Sequence, residues 1–186
     1  MESAHVNISH IRHWIGEHFP VEAVDEVFET LREFDEKPRP DFTYRAILSL
    51  ARGDLGEIRR LVRRAKTDAK SVRDEGGRAQ AWDSLLAGYG QNLEHWPWIK
   101  PFRDFLARLD TTSVRWKYVC GTSHESVCFT LPESEPGEYP ERLVALMPLT
   151  DSIGIEVELR NESVSRKFHY DAPVDELLLL IEQELG

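Results

Sequence analysis

Cysteine is scarce in this chain, with two residues, Cys120 and Cys128, in 186. That excludes a disulfide scaffold and makes a reducing cytoplasm the expected compartment. Long apolar runs are missing as well. The longest, Leu143–Met147 and Leu177–Ile181, hold five residues each, whereas a membrane helix needs about 20. No bilayer-spanning segment is expected. The opening Met1-Glu2-Ser3-Ala4-His5 lacks the basic region and apolar stretch of a signal peptide. Basic charge is in deficit, 23 Lys+Arg against 33 Asp+Glu, for a formal net charge of −10. No Gly-rich phosphate loop, Gly-x-Ser-x-Gly elbow or paired-carboxylate signature occurs. What remains is ordinary. The chain is 41% hydrophobic and 30% charged, too apolar for disorder and long enough for one domain or two small ones.

Periodicity changes near residue 112. Before it, apolar residues recur at three- and four-residue steps, which predicts helices; after it they alternate, which predicts strands. The first helix, Ser9 to Phe19, gathers Ile8, Ile11, Trp14 (or Ile15) and Phe19 toward one face. Pro20 suits the start of a second, in which Val21, Val24, Val27, Phe28, Leu31 and Phe34 form an apolar stripe. Residues 35–40 read as a linker, because each proline disfavours helix in the residue before it. Asp41 is placed to cap a third helix that runs through Ala51 and stops at Gly53. Asp54 then caps a fourth. There Ile58, Val62, Ala65, Ala69 and Val72 step by 4, 3, 4 and 3, a packing seam. One residue on, Arg59, Arg63, Lys66, Lys70 and Arg73 step identically, about 100° round the helix. Gly76-Gly77 is expected to end this helix or turn the chain. Ala79–Tyr89 and Pro97–Leu109 supply two further helical segments.

Beyond residue 112 the pattern predicts five strands and a closing helix. The strands are Val114–Cys120, Ser126–Leu131, Arg142–Leu149, Ile153–Arg160 and Ser163–Tyr170. The mainly apolar third suits a central position. A two-residue turn at Asn161-Glu162 would pair Leu159 with Val164, Ile155 with Phe168 and Glu156 with Lys167. It leaves Arg166 on the apolar face, a flaw unless that residue reaches the sheet rim. Val174, Leu177, Leu178, Ile181 and Leu185 give the last helix an inward face. The expected fold is therefore α+β, a helical N-terminal half (1–110) followed by a mostly antiparallel five-stranded sheet with a C-terminal helix (111–186).

Charge divides unevenly along the chain. Net charge is −5 over residues 1–51, +4 over 52–78, −1 over 79–110 and −8 over 111–186. The sheet domain is acidic, and the fourth helix is the one basic island. Tyr44-Arg45-Ala46-Ile47-Leu48-Ser49-Leu50-Ala51-Arg52-Gly53-Asp54-Leu55, followed by Ile58, Val62, Ala65 and Asp68, resembles a segment of small uncharacterised bacterial proteins. Those carry a helix ending in Gly-Asp-Leu, a second helix, and an Asp-Tyr-Arg-Asp-Val type ending, where this chain has Asp68-Ala69-Lys70-Ser71-Val72. The resemblance spans about residues 44–72. It implies a bacterial source and a helical hairpin, and transfers no activity or site.

Four groups of residues bear on chemistry. His10, His13 and Glu17 share a helix face at spacings of 3 and 4, where two imidazoles and a carboxylate are able to hold a metal. The same residues are the polar side of an amphipathic helix, which is the favoured reading, and no metal or other cofactor is assigned. Cys120, His124 and Cys128 offer a metal site, a redox pair or a thiol nucleophile with its base, against the commoner fate of cysteines on apolar strands, burial as small hydrophobes. Arg59, Arg63, Lys66, Lys70 and Arg73 suit phosphate contact, against pairing with acids of the same molecule, including Glu22, Asp25, Glu26, Glu29 and Glu33 of the second helix. In His95-Trp96-Pro97-Trp98 the proline stiffens the backbone between two tryptophans. These serve either as a binding anchor or as filling for a joint between domains.

The leading expectation is a non-enzymatic protein-binding module. An inhibitor or antitoxin-like protein whose acidic C-terminal domain engages a basic partner fits the small size and the charge. The candidate contact residues are Arg59, Arg63, Lys66, Lys70, Arg73, Trp96 and Trp98. One alternative is an enzyme with a site around His10/His13 or Cys120/His124. Another is nucleic-acid binding through helix 54–75, disfavoured by the net charge and by the absence of interleaved aromatics.

Overall fold

The computed structural model describes residues 8–34, 40–93, 95–123, 125–132, 142–159 and 162–185. Among them the helices are α1 (Ile8–His18), α2 (Val24–Arg32), α3 (Pro40–Ala51), α4 (Leu55–Asn92), α5 (Lys100–Leu109), α6 (Val114–Lys117) and α7 (Val174–Leu185). The strands are β1 (Val119–Ser123), β2 (Ser126–Thr130), β3 (Arg142–Pro148), β4 (Ser152–Leu159) and β5 (Glu162–His169). They form one antiparallel sheet in the order β1-β2-β3-β4-β5. The α+β fold is thus as the patterning implies, with β3 central. No described helix is long and apolar enough to cross a membrane.

Packing divides the chain between Gln80 and Ala81, ahead of the change in periodicity. Periodicity reports element type; it does not report which core an element joins. The first unit is helical. Its core holds Ile11, Ile15, Val27, Phe28, Leu31, Ile47, Ile58 and Val62, all buried. Tyr44 closes the gap between α2 and α3 by donating its hydroxyl to the Phe34 carbonyl at 2.8 Å. Val21, read as part of the α2 stripe, is instead 85% exposed, because the chain makes a separate turn at Val21–Ala23 before α2 begins.

The α3–α4 connection follows its sequence closely. Arg52 and Gly53 take φ of +49° and +84°, the left-handed backbone that ends helices and that glycine adopts without strain. The Asp54 carboxylate accepts the Glu57 N–H at 3.1 Å, capping α4. The break expected at Gly76-Gly77 lies elsewhere. The helix continues through both glycines, and its non-helical residue is Asp68 (φ −147°, ψ 72°). Asp68 accepts the Ser71 N–H at 3.0 Å and so restarts the helix as a cap. Across the break, Arg64 donates to both carboxylate oxygens of Glu75 at 2.6 and 2.7 Å and to the Ser71 hydroxyl. Gly76 serves a different purpose. A β-carbon there would sit 2.3 Å from Ala46 Cβ and 2.4 Å from Ala46 Cα, so glycine is what lets α4 lie against α3.

In the second unit the core joins Trp82, Phe102, Phe105, Leu109, Val127, Phe129, Val144, Leu146, Ile153 and Ile155 to Leu177, Ile181 and Leu185 of α7. One face of the sheet carries that core. The segment Val114–Lys117 is a helical turn, not the start of a strand. Ser113 O accepts the Lys117 N–H, and Val114, Arg115 and Tyr118 are all buried, a spacing that suits a turn of helix better than alternation.

The β4–β5 register also differs from expectation. Ile155 faces Arg166, Ile153 faces Phe168, Val157 faces Val164 and Glu156 faces Ser165, so the strands slide by two residues. Glu162, expected in the turn, instead belongs to β5 and pairs with Leu159; residues 160 and 161 lie outside the described residues. Alternation specifies which face a residue occupies, and a slide of two preserves every face. Arg166 reaches the rim: β5 is an edge strand, and the guanidinium lies 3.6 Å from Glu184 of α7. An inward-facing charge on an edge strand discourages pairing with a further strand.

Candidate functional site

The C-terminal turns of α4, the Pro97–Ile99 turn and the β1–β2 hairpin enclose a cavity of about 540 Å³, within the range that holds ligands. Its apolar walls are Leu85, Tyr89, Trp96 and Ile99. Its polar rim is Ser84, Asn92, Thr122 and Glu125. Each wall has a local cause. Tyr89 points inward from α4 and packs edge-on against Phe102, ring centres 5.6 Å apart. Its hydroxyl donates to the Glu125 carbonyl at 2.6 Å, tying helix to hairpin. Burial pushes the Tyr89 phenol up to about 12, so it is neutral near pH 7 and acts as a hydrogen-bond donor. Ile99 is buried and anchors the Pro97–Ile99 turn. Trp96, immediately before that turn, stays 46% exposed. Trp98 is 42% exposed and does not line the cavity. Neither ring is buried within the second unit.

Beneath α6 lies a polar cluster that the alternating pattern concealed. Arg115 is only 2% exposed and grips Asp83 with two bonds, Nη2 at 2.6 Å and Nε at 3.2 Å. Its Nε is 3.5 Å from Asp110, whose carboxylate accepts the buried Trp82 indole N–H at 2.7 Å. Arg115 Nη1 is buried and has no hydrogen-bond partner among the described residues. The bidentate grip and the Trp82 bond make this a structural tie within the second unit. It was illegible in sequence, because Asp83 and Asp110 are remote from Arg115 along the chain.

The basic stripe on α4 does not remain one surface, since the break at Asp68 falls between Lys66 and Lys70. Arg59 pairs with Glu26 and Lys66 with Glu33, both acids of the second-helix segment. Lys70 pairs with Asp74 one turn on, and Arg73 donates to the buried Thr43 hydroxyl at 3.2 Å. Arg63 is exposed, with no ion pair among the described residues. Such exposed pairs contribute little each.

The remaining candidates do not converge. His13 meets Glu17 at 3.5 Å on an exposed helix face, while His10 lies beside Trp14. Among the described residues no group of three or more His, Cys, Asp or Glu side chains is arranged to hold a metal ion. Cys120 is opposite Phe129 and Cys128 opposite Gly121, so the two cysteines, neither in a disulfide, occupy opposite faces of the sheet. Burial pushes the Cys120 thiol up to about 11, the reverse of an activated nucleophile. His124 lies outside the described residues.

Comparison with protein-family models, curated proteins and solved structures finds no match for this chain.

Proposed function

We propose that this protein is a non-enzymatic binding module whose acidic second unit engages a basic protein partner, in the manner of an inhibitor or antitoxin. The observation that carries the reading is where the charge resides. Residues 1–80 are nearly balanced at −1, whereas residues 81–186 hold −9. The acidic unit is also the one with a cavity walled by a half-exposed tryptophan. Negative potential speeds and orients docking of a basic protein, and an aromatic at a recess supplies the anchor that such interfaces concentrate their affinity upon. The basic residues of α4 support the same assignment, since Arg59 and Lys66 are engaged by acids of their own unit.

The test is affinity capture from the native host with the full chain, followed by reconstitution with the purified captured protein. A partner of pI above about 9, whose association weakens steeply with salt, is expected. Asp171→Asn/Asp175→Asn/Glu176→Gln, three exposed acids of the second unit, should slow association. Arg63→Gln/Lys66→Gln should leave it unchanged. A neutral or acidic partner, or one lost with the α4 double variant alone, would overturn the reading.

A further inference from the structure

We infer that the cavity between α4 and the β1–β2 hairpin is a receptor for a cationic side chain, best an arginine, presented by the basic partner. This rests on the binding-module reading and adds the site and the chemical group it takes. Three independent observations lead there.

The first is that four aromatic rings of this protein carry a cation of the chain over one face. Arg45 lies 4.3 Å over Trp14, Arg12 lies 4.6 Å over Phe28, Arg108 lies 5.0 Å over Phe105, and Lys117 lies 5.3 Å over Tyr118. Cations of the chain itself thus cover aromatic faces repeatedly. Trp96 and Tyr89 have no such cover among the described residues. The nearest basic residues in sequence, Lys100 and Arg103, are both held by Asp104 at 2.6 and 3.0 Å.

The second is charge at the rim. Among the described residues that line the cavity Glu125 is the one that carries a charge; it is exposed, and no described cation pairs with its carboxylate. An aromatic residue and an acidic residue on the lining of one cavity are the two elements a guanidinium uses, stacking flat on a ring while its N–H groups reach carboxylate oxygens.

The third is Gly88, on the α4 wall. Glycine inside a helix is less favourable than alanine. A β-carbon at Gly88 would meet nothing within 4 Å, as is also so at Gly77 and Gly90 of the same helix, so the space beside it is open. What distinguishes Gly88 is that it lines the cavity, where the missing side chain leaves the α4 wall bare.

The probe is acetyl-Gly-Arg-Gly-amide, titrated into the full chain at low salt and followed by amide and indole NMR shifts. The lysine and citrulline peptides serve as comparisons. Saturable shifts centred on Tyr89, Trp96, Thr122 and Glu125 are expected, with arginine binding more tightly than lysine and citrulline at least tenfold weaker than arginine. Trp96→Ala and Glu125→Gln should each weaken arginine binding about fivefold or more. Gly88→Leu should abolish it while leaving the fold intact, as judged by unchanged or raised thermal stability. Trp98→Ala, equally exposed but outside the cavity, should stay within twofold. Citrulline binding as well as arginine, shifts elsewhere, or retention in Gly88→Leu would overturn the inference. The two readings fail separately. A basic partner bound undiminished by Gly88→Leu removes the cavity from the interface and leaves the binding module standing. Arginine-peptide binding with no basic partner does the opposite.

Discussion

Asp83→Ala is expected to destabilise the second unit more than Arg115→Met does, although both break the same ion pair. The reasoning starts from burial: the Arg115 side chain is 2% exposed, Asp83 38% and Asp110 11%. Removing Asp83 strands a buried guanidinium with one long contact, 3.5 Å to Asp110, and an Nη1 that has no partner among the described residues. Breaking a buried pair from one side costs about 3–5 kcal/mol. Water at the half-open Asp83 position recovers part of this, leaving about 2–3 kcal/mol. Removing Arg115 instead takes away the group that most needs partners. Asp83 then turns to solvent, and Asp110 keeps its 2.7 Å bond from Trp82, so the loss should be about 1–2 kcal/mol. The assay is urea unfolding at pH 7 followed by near-ultraviolet circular dichroism, comparing midpoints at constant m. Equal destabilisation, or a larger loss for Arg115→Met, would refute the claim that the cost lies in the stranded arginine.

Three further outcomes follow from named contacts. Gly76→Ala should destabilise the first unit by about 1–3 kcal/mol, because its β-carbon would overlap Ala46; Gly77→Ala, with nothing within 4 Å, should stabilise by up to about 1 kcal/mol. A thermal melt in which Gly76→Ala is the more stable of the two would contradict this. In a Cys128→Ser background Cys120 should resist thiol reagents at pH 7 and gain reactivity only as pH approaches about 11, where its raised thiol ionises; rapid labelling at pH 7 would show the thiol to be activated. Lys66→Gln should cost no more than about 1 kcal/mol, since its pairing with Glu33 is exposed, and a larger drop in urea midpoint would show that the α2–α4 pairs carry more of the stability than their exposure implies.

Much of the fold was legible because patterning reports which face a residue occupies. Leu177, Ile181, Val127 and Phe129 all face the core as their periods imply. What patterning cannot express is translation along a partner, hence the two-residue slide of β5 on β4. Nor does it rank competing breakers: Gly76-Gly77 looked the stronger signal, yet Asp68 bends the helix because its carboxylate recaps the chain at Ser71. Of the candidate site, Trp96 stood out through its Trp-Pro-Trp setting. Tyr89, Gly88 and Glu125 did not, since they come together only when the hairpin folds against α4. The Arg115–Asp83–Asp110 tie was hidden for the same reason, and because a helical turn at Val114–Lys117 looked like alternation.

The central claim is that residues 81–186 form the contact with a basic protein. Zero-length carbodiimide cross-linking of the reconstituted complex, read by peptide mass spectrometry, tests it most directly, because it joins only carboxylates and amines in immediate contact. Links from partner lysines to Glu125, Asp171, Asp175 or Glu176, lost at high salt, are the expected result. Links confined to carboxylates of residues 1–80, or to partner acids through Lys66 and Lys70, would contradict it.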